Sequence, residues 1–188
     1  PQTNTNGEGW QYQYSADKIV GFKQTHQPSP WIGDYGQFSI LPMTGKMNFK
    51  EGKRASWFSH KAEIAKPYYY NVYLAEYDVL TEITPTERAA MFQFTFPKTD
   101  SAFILVDAFD RGSYLKIIPG SNKIIGYTTR NRGGVPTNFK NYFVIECDKS
   151  FNLTWTVDDS TLTAFKNEVS SQHAQAIIGF STRDGEQV

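Results

Sequence analysis

The feature that most narrows the folds open to this chain is its period of two. Phe151-Asn152-Leu153-Thr154-Trp155-Thr156-Val157 alternates apolar with polar residues, and Trp10-Gln11-Tyr12-Gln13-Tyr14 and Gln37-Phe38-Ser39-Ile40-Leu41 follow the same rule. Successive side chains of an extended chain point to opposite faces, so each such run offers one face to a core and the other to water. Runs dense in β-branched and aromatic residues recur at 19–22, 68–74, 79–84, 89–96, 103–107, 114–118, 123–130, 142–147, 162–165 and 176–180, those of the second half separated by Gly, Pro, Asn or Asp. Residues 79–96 and the run before them read as a meander, with Ala75-Glu76-Tyr77-Asp78 as a turn, and Asp158-Asp159-Ser160 reads as a hairpin turn. The predicted fold is all-β: one antiparallel β-sandwich of about a dozen strands. Residues 167–172 are the sole helical candidate and are too short to carry one. Residues 1–9 read as a loose lead-in, Pro42-Met43-Thr44-Gly45 as the end of a strand, and 48–56 as a flexible polar excursion.

With 188 residues the chain is long enough to bury a substantial core in one domain. Nineteen basic residues balance nineteen acidic ones, which removes the electrostatic footprint of a nucleic-acid binder. The one local basic cluster, Arg130-Asn131-Arg132-Gly133-Gly134, reads as a solvated turn. No apolar run approaches the roughly 20 residues that a helix needs to span a bilayer. Cys147 is the single cysteine, so no intrachain disulfide and no cysteine-based metal site can form, and its strand-like context suits a buried structural thiol. There is no Gly-x-Ser-x-Gly elbow, no phosphate-cradling glycine loop and no His-x-x-x-His pair. His26, His60 and His173 stand far apart and are read as three separate roles. Asp107 with Asp110, or Asp158 with Asp159, could do glycosidase chemistry only with the right separation across a bond, which close neighbours in sequence rarely reach. No catalytic residue is therefore assigned within this chain, and no metal ligand.

What remains is Thr25-His26-Gln27-Pro28-Ser29-Pro30-Trp31-Ile32-Gly33-Asp34-Tyr35-Gly36. Two prolines fix their own φ and push the residues before them towards extended backbone, while two glycines allow turns. Lying between two predicted strands, the stretch reads as a stiff, shaped loop at the edge or end of a sheet. Its contents suit a sugar: the Trp31 indole can pack on the C–H face of a pyranose while His26, Gln27, Asp34 and Tyr35 bond hydroxyls. The alternative is a plain connection with Trp31 folded into the core.

These residues, with Gly9-Trp10-Gln11-Tyr12-Gln13-Tyr14, Ile19-Val20-Gly21-Phe22-Lys23-Gln24, Leu41-Pro42-Met43-Thr44-Gly45, Phe58-Ser59-His60, Tyr69-Tyr70-Asn71-Val72-Tyr73-Leu74, Thr86-Glu87-Arg88 and Phe94-Thr95-Phe96-Pro97, resemble the N-terminal domain of glycoside hydrolase family 92. The Thr-His-Gln-Pro-Ser-Pro-Trp form resembles its α-1,2-mannosidase branch. The resemblance implies a supersandwich of the galactose-mutarotase type, occupying 1–188 as an excised N-terminal piece of a larger enzyme. That enzyme is expected to be a bacterial, calcium-dependent, inverting exo-α-mannosidase, exported to the periplasm, cell surface or medium. Its C-terminal (α/α)-toroid, absent here, is expected to carry the catalytic residues and most calcium ligands, leaving this fragment inactive alone. By the same resemblance Trp31 lines the subsite for the leaving sugar, with His26, Gln27, Asp34 and Tyr35 sharing its motif, and α-mannoside glycans are the expected partner. The rival from another class is an independent carbohydrate-binding or adhesin domain that uses the same loop without catalysis.

Overall fold

The computed structural model describes residues 1–3, 12–23, 38–130 and 136–188. Among them helix is confined to two 3₁₀ turns of three residues, Glu51–Lys53 and Pro119–Ser121, and the rest is strand and connection. Seventeen strands follow in chain order: β1 (Gln2–Thr3), β2 (Lys18–Lys23), β3 (Ser39–Thr44), β4 (Ser56–Trp57), β5 (Ile64–Lys66), β6 (Tyr69–Leu74), β7 (Val79–Pro85), β8 (Ala90–Phe96), β9 (Thr99–Asp107), β10 (Ser113–Ile118), β11 (Lys123–Thr128), β12 (Asn141–Glu146), β13 (Leu153–Asp158), β14 (Thr161–Ala164), β15 (Glu168–Ser171), β16 (Ala174–Thr182) and β17 (Glu186–Gln187). They pair antiparallel in three sheets, of order β1-β2-β3-β9-β16-β13-β14 with β4 on β2, β12-β11-β10-β15, and β17-β8-β7-β6-β5. The all-β antiparallel sandwich read from the period of two is the observed fold. The continuous apolar runs explain themselves in the sheet order. Ala102 to Val106 in β9 and Ala176 to Ile178 in β16 are buried without alternation, as interior strands covered on both faces must be.

The chain divides into two compact units, the first made of Pro1–Phe22, Leu41–Phe103 and Ser181–Val188, the second of Lys23–Ile40 and Ile104–Phe180. In the first, β6, β7 and β8 form the predicted meander, burying Val72, Leu74, Val79, Phe94 and Phe96 on one face. Asp78 closes the Ala75–Asp78 turn at φ 53°, a left-handed conformation that Asp tolerates better than most residues. In the second, β10 alternates cleanly, with Leu115 and Ile117 buried between half-exposed neighbours, and the β13–β14 hairpin turns at Asp159 with φ 52°.

Several expectations are corrected. Residues 167–172, set aside as too short for a helix and not read as a strand, hold β15, which pairs with β10 and gives Val169 a core position opposite Leu115. The lead-in is not wholly loose: Gln2 and Thr3 pair with β2 and are buried. Pro42 lies inside β3, which runs on to Thr44 before Gly45 turns it at φ 70°. Tyr12, Gln13 and Tyr14 are not strand. The polar excursion at 48–56 is pinned rather than flexible. Arg54 within it has no exposed surface, donating Nε to the Val20 carbonyl (2.9 Å) and one guanidinium nitrogen to the Phe49 carbonyl (3.2 Å), while its own carbonyl accepts the Tyr77 hydroxyl (2.8 Å). Cys147 is half-buried, and burial pushes its thiol up to about 11, which keeps it unreactive at neutral pH.

Candidate functional site

Trp31, His26, Gln27, Asp34 and Tyr35 all lie outside the described residues, but the residues that bracket their segment are placed. β2 ends at Lys23 and β3 begins at Ser39, and the two strands are neighbours in their sheet, so segment 24–37 joins adjacent strands as the sequence predicts. Both ends of the segment are held by aromatic rings of the second unit. Lys23 Nζ sits 4.4 Å from the centroid of the Phe109 ring, a cation–π contact. At the other end the ring of Phe38 stacks on Phe143 at 4.1 Å and an interplanar angle of 14°.

Phe109 is itself positioned by a buried carboxylate. Asp107, the last residue of β9, has a side chain only 1% exposed, and such a charge persists only when its oxygens are bonded. Oδ1 accepts the Phe109 backbone N–H at 2.9 Å and His173 Nε2–H at 2.7 Å, and Oδ2 accepts Gln175 Nε2–H at 2.9 Å. The bond from Phe109 closes a turn of the kind Asp favours, and Phe109 takes φ 56° within it. The same ring receives a second cation, Arg130, whose guanidinium carbon lies 5.0 Å from the centroid and whose Nε pairs with Asp110 at 3.0 Å. Asp107 and Asp110 therefore bond to separate partners. His173 is tied further by its backbone N–H, which Asp159 Oδ1 accepts at 2.8 Å. The sequence named Asp107 only in that pairing and missed Gln175. A charge ending an otherwise apolar interior strand was the available signal.

A second polar cluster lies in the first unit around Glu63. Its Oε1 accepts the Tyr12 hydroxyl (2.6 Å) and faces His60 Nδ1 (2.7 Å), and its Oε2 accepts the Tyr70 hydroxyl (2.6 Å). His60 Nε2 lies 2.9 Å from the Ala16 carbonyl. Nε2 thus faces an acceptor, and Nδ1 lies between the Glu63 carboxylate and the Tyr12 hydroxyl at 3.0 Å, a setting that favours the protonated ring. The Glu63 bond is the main reason its pKa is held above the usual histidine value. Burial works to raise the pKa of Glu63, but its three donors outweigh that and leave it below the usual carboxylate value. Tyr14 stacks on the His60 ring at 4.4 Å and Phe58 meets it edge-on at 4.7 Å. His60 thus belongs to the first unit and His173 to the second, as separate roles imply. Among the described residues no three His, Cys, Asp or Glu side chains gather as a metal site would require.

The family model for the glycosyl hydrolase family 92 N-terminal domain matches residues 1–188. The chain belongs to glycosyl hydrolase family 92, as its N-terminal domain. Among solved structures, this family 92 domain is similar to the inverting mannosidase BT2199 from Bacteroides thetaiotaomicron, with 39% identity over 100% of the present chain and a TM-score of 0.91. It is also similar to the α-mannosidase BT3965 from the same organism, with 30% identity over 94% of the chain and a TM-score of 0.80. The family 92 domain spans 25% and 26% of the lengths of those two proteins. No curated protein matches it.

Proposed function

We propose that this family 92 domain is the N-terminal part of an exported, calcium-dependent, inverting exo-α-1,2-mannosidase acting on α-mannoside glycans, and that segment 25–36 forms part of the subsite for the leaving sugar. The observation that carries the reading is the 39% identity to an inverting mannosidase along the whole chain. The Thr25-His26-Gln27-Pro28-Ser29-Pro30-Trp31 sequence supports the α-1,2 assignment. On this reading Trp31 packs its indole against the leaving sugar and His26, Gln27, Asp34 and Tyr35 bond hydroxyls or hold the segment's shape. The anchored ends at Lys23 and Phe38 favour a recognition role, since a segment with fixed ends loses less entropy when a ligand orders it.

Calcium binds six to eight oxygens, and the described residues offer no cluster of carboxylates for it. The reading assigns most of the ion's ligands, the general acid and the general base to the remainder of the parent enzyme. This chain alone is then expected not to turn over mannosides.

Substituting Trp31 in the intact enzyme tests the proposal. Trp31→Ala removes one aromatic contact, and kcat/KM on α-1,2-mannobiose is expected to fall by about 1–3 kcal/mol, roughly tenfold to a hundredfold. α-Mannosyl fluoride, which carries no leaving sugar, should be affected much less. A loss equal on both substrates, with a sharply lowered melting temperature, would show that Trp31 is a core residue and refute the reading.

A further inference from the structure

We infer that the outward face of the β17-β8-β7-β6-β5 sheet is a second glycan-binding surface, suited to a neutral sugar chain. The inference goes beyond the reading above and uses no residue of segment 25–36. Val72 and Leu74, Val79 and Thr81, and Phe94 and Phe96 turn to the core, so their alternate neighbours turn outward. Register sets Asn71, Glu82 and Gln93 side by side across three strands, and the next row runs from Tyr73 on β6 to Gln187 on β17. Two phenols are fixed on this lattice. Tyr69 donates its hydroxyl to Glu82 Oε1 at 2.5 Å and accepts Asn71 Nδ2–H at 3.2 Å, and Tyr73, 45% exposed, donates to Asp78 Oδ1 at 2.5 Å. Rings tied at both ends lose little freedom when a ligand packs on them. They stand four residues apart on one strand, roughly 13 Å, a span that suits a chain of sugar units. Gln93 Nε2–H bonds Gln187 Oε1 at 3.3 Å. Among the described residues Glu82 Oε2, Asn71 Oδ1 and Gln187 Nε2 have no hydrogen-bond partner, which leaves acceptors and a donor beside the rings for hydroxyls. Charge and polarity choose the occupant. The outward positions of the five strands hold one cation, Lys66, and one anion, Glu82, so the face has no net field to draw a polyanion or a basic peptide. A protein interface centres on an apolar patch depleted of charge, whereas the row through the middle of this face is amide, carboxylate, amide. Rings beside planar polar groups match a sugar, whose C–H face packs on the one and whose hydroxyls bond the other.

Native electrophoresis of the intact parent enzyme through gels containing α-mannan tests this, because it reads binding without requiring turnover. Wild type should be retarded increasingly as the mannan concentration rises, and polygalacturonate, a polyanion, should not retard it. Combining Tyr73→Ala with Glu82→Gln removes an aromatic contact and a charged acceptor, and should raise the apparent Kd for mannan roughly tenfold to a hundredfold. On α-1,2-mannobiose, which the pocket alone accommodates, kcat/KM should stay within about twofold of wild type. Gln93→Ala, a change at an exposed side chain, should weaken mannan binding in the same direction and serves if the double variant does not fold. No retardation of wild type, equal retardation of wild type and variants, or equal retardation by polygalacturonate would each overturn the inference. A sharply lowered melting temperature in the intact enzyme, with mannobiose activity lost in step, would overturn it too, since the face would then be packed against the rest of the chain or another protein. An intact enzyme that hydrolyses no mannobiose would refute the proposed function, and the gel would still decide whether this face binds glycan.

Discussion

The Glu63 cluster gives the sharpest stability prediction, because one carboxylate is the acceptor for three side chains from different parts of the first unit. Glu63→Ala leaves the Tyr12 hydroxyl, the Tyr70 hydroxyl and His60 Nδ1–H without their acceptor. These losses are unequal. Tyr12 is 36% exposed and His60 22% exposed in its side chain, so both can turn to water at little cost. Tyr70 is more enclosed, with burial as the main cause of a phenol pKa raised well above the usual value, and its orphaned hydroxyl costs about 1–3 kcal/mol. Adding the weakened hold on residues 12–16, the variant should lose about 2–4 kcal/mol, a fall in melting temperature of roughly 5–15 °C at this chain length. The pH dependence follows from two opposite shifts. His60 has a folded-state pKa raised above 6.5, so its contribution is complete below 6.5 and is lost as pH rises through the raised value. Glu63 is lowered below 4.5, so its contribution is complete above 4.5 and is lost as pH falls through the lowered value. The cluster is thus strongest between those two limits. Thermal unfolding of wild type and His60→Gln across that range and up to alkaline pH supplies the assay. The wild-type advantage should be largest in mildly acid buffer and shrink as His60 deprotonates. A constant difference across the series, or a Glu63→Ala variant melting within a degree of wild type, would refute the reasoning.

Two further substitutions probe the interior. A Cβ on Gly126 would come within 2.5 Å of the Tyr114 carbonyl oxygen, 2.8 Å of Leu115 Cδ2 and 2.9 Å of Phe143 Cζ. Because backbone cannot yield as a side-chain tip can, Gly126→Ala should cost about 3 kcal/mol, read as a lowered denaturant midpoint with an unchanged slope. Arg54→Met keeps the buried volume but strips the donors to the Val20 and Phe49 carbonyls, so it should cost about 1–3 kcal/mol by the same measurement. A neutral outcome would mean that these two hydrogen bonds make no net contribution to stability.

The sequence by itself determined the longer strands, because side-chain alternation is a local property and the two faces of a strand are readable from five or six residues. It also determined the turns at Ala75–Asp78 and Asp158–Ser160, where Asp tolerates the left-handed backbone found at Asp78 and Asp159. The motif at 25–36 was legible as composition, and its placement between adjacent strands followed from the runs on either side. Only tertiary structure decided that residues 168–171 are strand, since Val169 gains its core position from β10, more than fifty residues earlier. The same holds for Arg54, whose partners Val20 and Tyr77 are distant in sequence, and which composition marks as surface. Asp107, His173 and Gln175 meet across 66 and 68 residues, and Glu63 gathers Tyr12 from 51 residues away. No local pattern encodes such meetings, because they depend on which strands become neighbours. That is settled by long-range pairing and burial, and a polar side chain acquires its role only after its surroundings have formed.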